Sequence, residues 1–141
     1  MCTPPSHIWY NPHAGITHLK ELVWIASSLK DLREFPEEVR HVMGYALLLA
    51  QHGGKHVAAK PLQGYRGAGV LEVVDDYDGD TYRTVYTVRF PDAVYVLHAF
   101  QKKSKRGAAT PRHDLELVNA RLELARRLHA ERTPSPKENT K

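Results

Sequence analysis

From Val39 to Ala50 the apolar positions recur at i, i+3, i+4, i+7, i+8 and i+11, as Val39, Val42, Met43, Ala46, Leu47 and Ala50. That spacing puts one apolar stripe on a helix facing a core. Gly53-Gly54 supplies its end. Just upstream, Ser27 and Ser28 stand where an N-cap belongs, and Leu29, Leu32 and Phe35 share a helical face. Pro36 breaks that first helix and opens the next at its first turn, with Glu37 and Glu38 favourably placed against the N-terminal dipole. The two predicted helices therefore form a hairpin or a bent pair. Leu19 to Ala26 reads as a strand that precedes them.

After a loop holding Lys55, His56 and Lys60, the period changes from helical to two. Val70–Val74, Thr81–Phe90 and Ala93–Phe100 are rich in β-branched and aromatic residues and predict three strands. Asp78-Gly79 is a strong hairpin signal between the first two, and Pro91-Asp92 joins the next pair. On the second strand Tyr82, Thr84, Tyr86 and Val88 fall on one side and Arg83 on the other, so Arg83 and the tyrosines do not share a cleft on an ideal strand. The same alternation sets His98 with Val94, Val96 and Phe100. Thr110-Pro111 then opens a last helix with a seam of Leu115, Val118, Leu122 and Ala125. The order β-α-α-β-β-β-α predicts a small α+β domain, its helices against one face of an antiparallel sheet.

Residues 1–18, with three Pro, three His and no repeated apolar spacing, read as an N-terminal extension. Residues 19–131 form the expected domain, and 132–141 a polar C-terminal tail that begins around Thr133-Pro-Ser-Pro. A chain of 141 residues, 42% hydrophobic and 26% charged, fits one globular domain. No apolar run approaches a membrane span, and the first residues lack the basic start and apolar core of a secretory signal. Cys2 is the one cysteine, which excludes an intrachain disulfide framework. These features predict a cytoplasmic protein with no membrane partner.

The net charge is +4, but it is unevenly spread. Residues 101–141 carry eleven Lys/Arg against five Asp/Glu, whereas residues 1–100 carry nine against eleven. Positive charge is thus a C-terminal property, as in a phosphate-binding footprint, although a solvated basic helix and tail has the same composition. The acidic run Asp75 to Asp80 lacks the glutamate a calcium loop needs at its twelfth position and lies between strands. No histidine pairs with a cysteine at zinc-ligand spacing. Gly64–Gly69 opens a strand rather than a helix, unlike a nucleotide phosphate loop. No metal and no cofactor is expected. What remains is a sheet bearing Arg83, Tyr86 and His98 that runs out into Lys102, Lys103, Lys105 and Arg106. His98 has an equally simple reading as a satisfied core histidine, and the basic exit as a solvated loop.

Several segments in this order resemble the phage-derived, HigB-like branch of the RelE/ParE toxin superfamily. They are Trp24-Ile-Ala-Ser-Ser-Leu-Lys-Asp-Leu-Arg-Glu-Phe-Pro-Glu-Glu-Val, Lys60-Pro-Leu, Gly69-Val-Leu-Glu-Val, Asp78-Gly-Asp-Thr-Tyr-Arg-Thr-Val-Tyr and Leu97-His-Ala-Phe-Gln-Lys-Lys-Ser. The resemblance spans about residues 20–128. It implies a RelE-like fold and a type II toxin, neutralised by a helix-turn-helix antitoxin and cutting mRNA at the ribosome as an endoribonuclease. Carried over by position, it implies catalytic roles for Lys60, Glu72, Arg83, Tyr86 and His98, and RNA binding by Lys102 and Lys103; Lys105 and Arg106 extend the same basic exit as RNA-binding candidates. Many relatives read Glu-Leu-Arg where this chain has Glu72-Val73-Val74. The superfamily also holds ParE-like proteins that bind DNA gyrase without cutting RNA, and a non-toxic phage accessory role is a third alternative.

Overall fold

A computed structural model describes residues 19–65, 69–102 and 110–132. The elements are β1 (Glu21–Trp24), α1 (Ser28–Arg33), α2 (Glu37–Gln51), β2 (Ala59–Pro61), β3 (Val70–Tyr77), β4 (Asp80–Thr87), β5 (Ala93–Lys102) and α3 (Arg112–Arg132). The fold is the expected α+β arrangement, built on one five-stranded sheet in the order β1-β5-β4-β3-β2. The meander β3-β4-β5 is antiparallel throughout. Two features of the sheet exceed the sequence reading. β1 pairs with β5 in parallel, Glu21 opposite Ala93. A three-residue strand, β2, adds an edge beside β3 and lifts Lys60 out of the expected loop.

The β3–β4 hairpin turns on Asp78 and Gly79, both at positive φ (49° and 87°), with Tyr77 paired to Asp80. A right-handed strand pair accepts that two-residue turn, and Asp-Gly tolerates its backbone. The turn is therefore shorter than the acidic run, and Asp75 to Tyr77 belong to β3. Ala26, at φ 52°, bends the chain out of β1, which stops at Trp24.

Helices cover both faces of the sheet, not one as the patterning suggested. On one face the α2 stripe of Val39, Met43, Ala46, Leu47 and Ala50 packs with Leu32 and Phe35 against Val73, Tyr82, Tyr86, Val94, Val96 and Ala99. Phe35 meets Tyr82 edge-on at 5.0 Å between ring centroids. On the other face the α3 residues Val118, Leu122 and Ala125 pack with Ile25, Leu62, Val70, Val85, Ala93, Tyr95 and Leu97. The reason lies in β5, where nearly every residue from Ala93 to Ala99 is apolar and buried. A central strand of that kind needs cover on both sides. Each fully buried aliphatic side chain contributes about 1.5–3 kcal/mol, so α3 is held by its seam as well as by polar contacts. Among the described residues no helix is long and apolar enough to cross a membrane.

Candidate active site on the α3 face of the sheet

Regular alternation along β5 sets His98 with Val94 and Val96. A register shift between Val85 and Tyr86 of β4 changes this: Tyr86 pairs with Val96 and Val85 with His98, leaving Leu97 as the extra residue. A bulge of this kind moves the following side chains to the opposite face, a device common beside functional sites. His98 consequently faces α3 with Leu97 and Phe100, and its ring stacks on Phe100 at 4.7 Å. The alternation-based placement of His98 beside Val94 and Val96 is corrected by this one-residue insertion.

Arg83 is opposite Phe100 on β4, and Glu72 is opposite Val85 on β3. Both therefore share the α3 face with His98. Arg83 Nη1 donates to Glu72 Oε2 at 2.6 Å. Thr110, just before α3, bridges the pair: its hydroxyl accepts from Arg83 at 3.2 Å and donates to Glu72 at 3.2 Å. Lys60 pairs directly with Glu72 across β2–β3, so Lys60, Glu72, Val85 and His98 form one transverse row. Lys60 is exposed at the sheet edge. Lys102, half-buried at the end of β5, pairs with Thr81 and by register shares the face of Arg83 and His98.

Both ring nitrogens of His98 have partners. Nε2 lies 2.7 Å from Asp114 Oδ1 on α3. Nδ1 lies 3.3 Å from Nη1 of Arg121, one helical run further along. A guanidinium only donates, so Nδ1 accepts and the neutral ring carries its proton on Nε2, directed at Asp114. Arg121 also donates to the Leu97 carbonyl at the bulge (3.0 Å) and to the Ser27 hydroxyl (3.3 Å). Ser27 in turn donates to Asp31 at 2.8 Å. Burial pushes the His98 pKa below the ordinary imidazole value, with the Arg121 charge acting the same way and Asp114 opposing both. At neutral pH the ring is an uncharged imidazole, the form that accepts a proton.

The structure thus brings Glu72, Arg83 and His98 together, with Lys60 and Lys102 on the same face. It does not bring Tyr86 to them. Tyr86 faces α2, fully buried, and its hydroxyl has no hydrogen-bond partner among the described residues. Removal from water pushes that phenol up to about 12. Lys103, Lys105 and Arg106 lie outside the described residues. Thr110, Asp114 and Arg121 were not anticipated from sequence. A signal for Asp114 existed: it stands four residues before Val118 and eight before Leu122, a carboxylate on the apolar seam of α3.

A pocket of about 360 Å³ opens at the edge of β5 beyond Val96, where β1 no longer pairs. Asp31, Glu34 and Phe35 of the α1 region form one wall and His98 to Gln101 the other.

Residues 30–123 match the family described as Phage derived protein Gp49-like (DUF891), a span that runs from α1 into α3 and contains Lys60, Glu72, Arg83, His98, Lys102, Thr110, Asp114 and Arg121. No curated protein and no solved structure matches the chain at a significant level.

Proposed function

The chain belongs to the phage-derived Gp49-like family, which is RelE-like and associated with toxin–antitoxin systems; on that premise we propose that it is the toxin of a type II system, a HigB-like endoribonuclease acting on mRNA in the ribosome. The observation that carries this reading is the β5 bulge, which turns His98 onto the face that holds Arg83 and Glu72. A cytoplasmic site of action and a helix-turn-helix antitoxin partner belong to the same proposal.

The chemistry needs no metal. A base removes the proton from a 2′-hydroxyl, whose oxygen attacks the adjacent phosphorus. The bond to the 5′-oxygen breaks, and an acid returns a proton to that leaving oxygen. The products are a 2′,3′-cyclic phosphate and a 5′-hydroxyl. His98 is the base, since its neutral ring can take the 2′ proton once a nitrogen is released. Arg83 places a planar two-pronged donor on the phosphorane oxygens, with Lys60 and Lys102 adding point charge from the same face. Glu72 holds Arg83 in orientation. Tyr86, facing α2, has no part in these steps. Acid–base placement contributes ~10²–10⁴-fold and one aimed cation a comparable factor. The ribosome supplies the remaining orientation of the RNA.

His98→Ala and Arg83→Ala should each lower toxicity while the protein still folds and binds its antitoxin. Full toxicity in a soluble double variant would remove both residues from the mechanism. One observation favours a second reading. Glu72, Arg83 and His98 are only 4%, 4% and 5% exposed. Under that reading the trio is an internal ionic brace, and the toxin acts by binding a protein target such as gyrase. DNA-damage signalling without RNA cuts identifies that class.

A further inference from the structure

Glu72, Arg83 and His98 share a second property: each is occupied by α3 or by the residue leading into it. His98 contacts Asp114 at Nε2 and Arg121 at Nδ1, both on α3. Arg83 and Glu72 are joined by Thr110, two residues before α3 begins. A histidine with both nitrogens committed can neither take nor give a proton to a substrate. A nearly buried guanidinium cannot meet a phosphodiester. The pocket that does reach His98 runs past Asp31 and Glu34, carboxylates that repel a polyanion.

The attachment of α3 is reversible in kind. Its seam is short, with Val118, Leu122 and Ala125 buried and Leu115 and Leu124 partly so. Polar contacts fasten both ends with opposite polarity. At the N-terminal end a sheet histidine meets a helix carboxylate, His98 to Asp114. At the C-terminal end a helix histidine meets a carboxylate of the β4–β5 link, His129 Nε2 to Asp92 at 3.2 Å. Nδ1 of His129 lies 2.8 Å from the Tyr95 hydroxyl, and its ring packs on Phe90 at 4.4 Å. Tyr65 adds a hydrogen bond to Asn119 midway.

We infer that α3 is an occluding helix: the structure is a closed state, and RNA reaches Arg83 and His98 only when the N-terminal part of α3 lifts from the sheet. The inference rests on the proposed nuclease site but concerns access to it. Lifting α3 frees both imidazole nitrogens, removes Thr110 from the Arg83–Glu72 pair and opens a broad approach on the face that carries Lys60 and Lys102. The α1–α2 layer stays in place, because its apolar stripe packs on the other face of the sheet. If only a fraction f of molecules is open, the apparent dissociation constant for RNA is the intrinsic one divided by f.

The test uses the whole 141-residue chain, with Leu122→Ala to weaken the seam and His129→Gln to release the far end without touching the site. Amide hydrogen exchange is read in α3 against β4 and β5, together with carbethoxylation of His98 and binding of a short RNA oligonucleotide. The expectation is that wild-type α3 amides exchange at least tenfold faster than the sheet. Either variant widens that gap about tenfold, speeds His98 modification to match and tightens RNA binding by a similar factor. Exchange of α3 and sheet at one common rate in all three proteins would overturn the inference. So would RNA binding that weakens as α3 opens. Opening with tighter RNA binding but no mRNA cuts on translating ribosomes leaves the occluding helix standing and removes the nuclease, so the two ideas fail separately.

Discussion

Replacing Glu72 with Gln keeps the shape of the Arg83 pair and removes its negative charge. The pair is 2.6 Å long with both side chains 5% exposed. Solvent therefore does little to screen it, and a guanidinium left without its counter-charge bears most of the desolvation cost. Breaking such a pair by removing one partner costs about 3–5 kcal/mol. Gln retains an amide oxygen for Arg83, which puts Glu72→Gln near the lower end, about 3 kcal/mol. For a domain of this size that corresponds to roughly a 10 °C fall in Tm. Arg83→Met strands the carboxylate instead and costs a similar amount. The double variant loses both charges together and costs clearly less than the sum, with a coupling of about 2 kcal/mol. RNA should respond with the opposite sign, since Arg83 in the Glu72→Gln protein has lost its internal competitor for phosphate. The assay is urea unfolding of the four proteins, paired with oligonucleotide affinity for wild type and Glu72→Gln. Additive single effects below about 1 kcal/mol, or RNA affinity that falls with the loss of Glu72, would refute the reasoning.

Because the folded chain protonates His98 at lower pH than the unfolded chain does, the unfolded state takes up the extra proton first as pH falls. The contribution of His98 is complete above about pH 6.5 and is lost below it; urea midpoints at pH 7.5 and 5.5 should fall further for wild type than for His98→Gln, and equal falls would contradict this. Gly69 has φ 73°, and a Cβ there would lie 3.1 Å from the backbone nitrogen of Arg89, while Gly79 at φ 87° has open space around it. Gly69→Ala should therefore cost more than the about 1–2 kcal/mol of left-handed strain expected for Gly79→Ala, as read from denaturation midpoints. Ala26 already carries that strain, and Ala26→Gly should raise stability by up to about 1 kcal/mol; a loss would show that the bend between β1 and α1 needs the side chain.

Much of the fold was legible because its periodicities are clean. The α2 stripe and the Asp78-Gly79 turn each have one reading, and the order of the β3-β4-β5 meander follows from short links. The two-sided packing was not legible, since β5 is apolar at almost every position and alternation says nothing about its faces. The same lack of alternation hid the bulge, and with it the face of His98. β2 was missed because three residues containing a proline carry no strand signal, although Pro61 is tolerated at an edge. Of the candidate site, Lys60, Glu72, Arg83 and His98 were named by residue type and resemblance. Their partners were not, because Thr110, Asp114 and Arg121 meet the sheet only through the packing of α3. Tyr86 illustrates the converse. It shares a strand with Arg83, yet the period of two sends it to the opposite core.

The central claim is that the His98–Arg83 face cuts RNA in translating ribosomes. It is tested most directly by brief expression without antitoxin, with 5′ ends mapped on abundant transcripts in the presence and absence of a translation inhibitor. The account predicts new 5′-hydroxyl ends inside reading frames that vanish when ribosomes are blocked and in His98→Ala. Growth arrest with no new ends would contradict it.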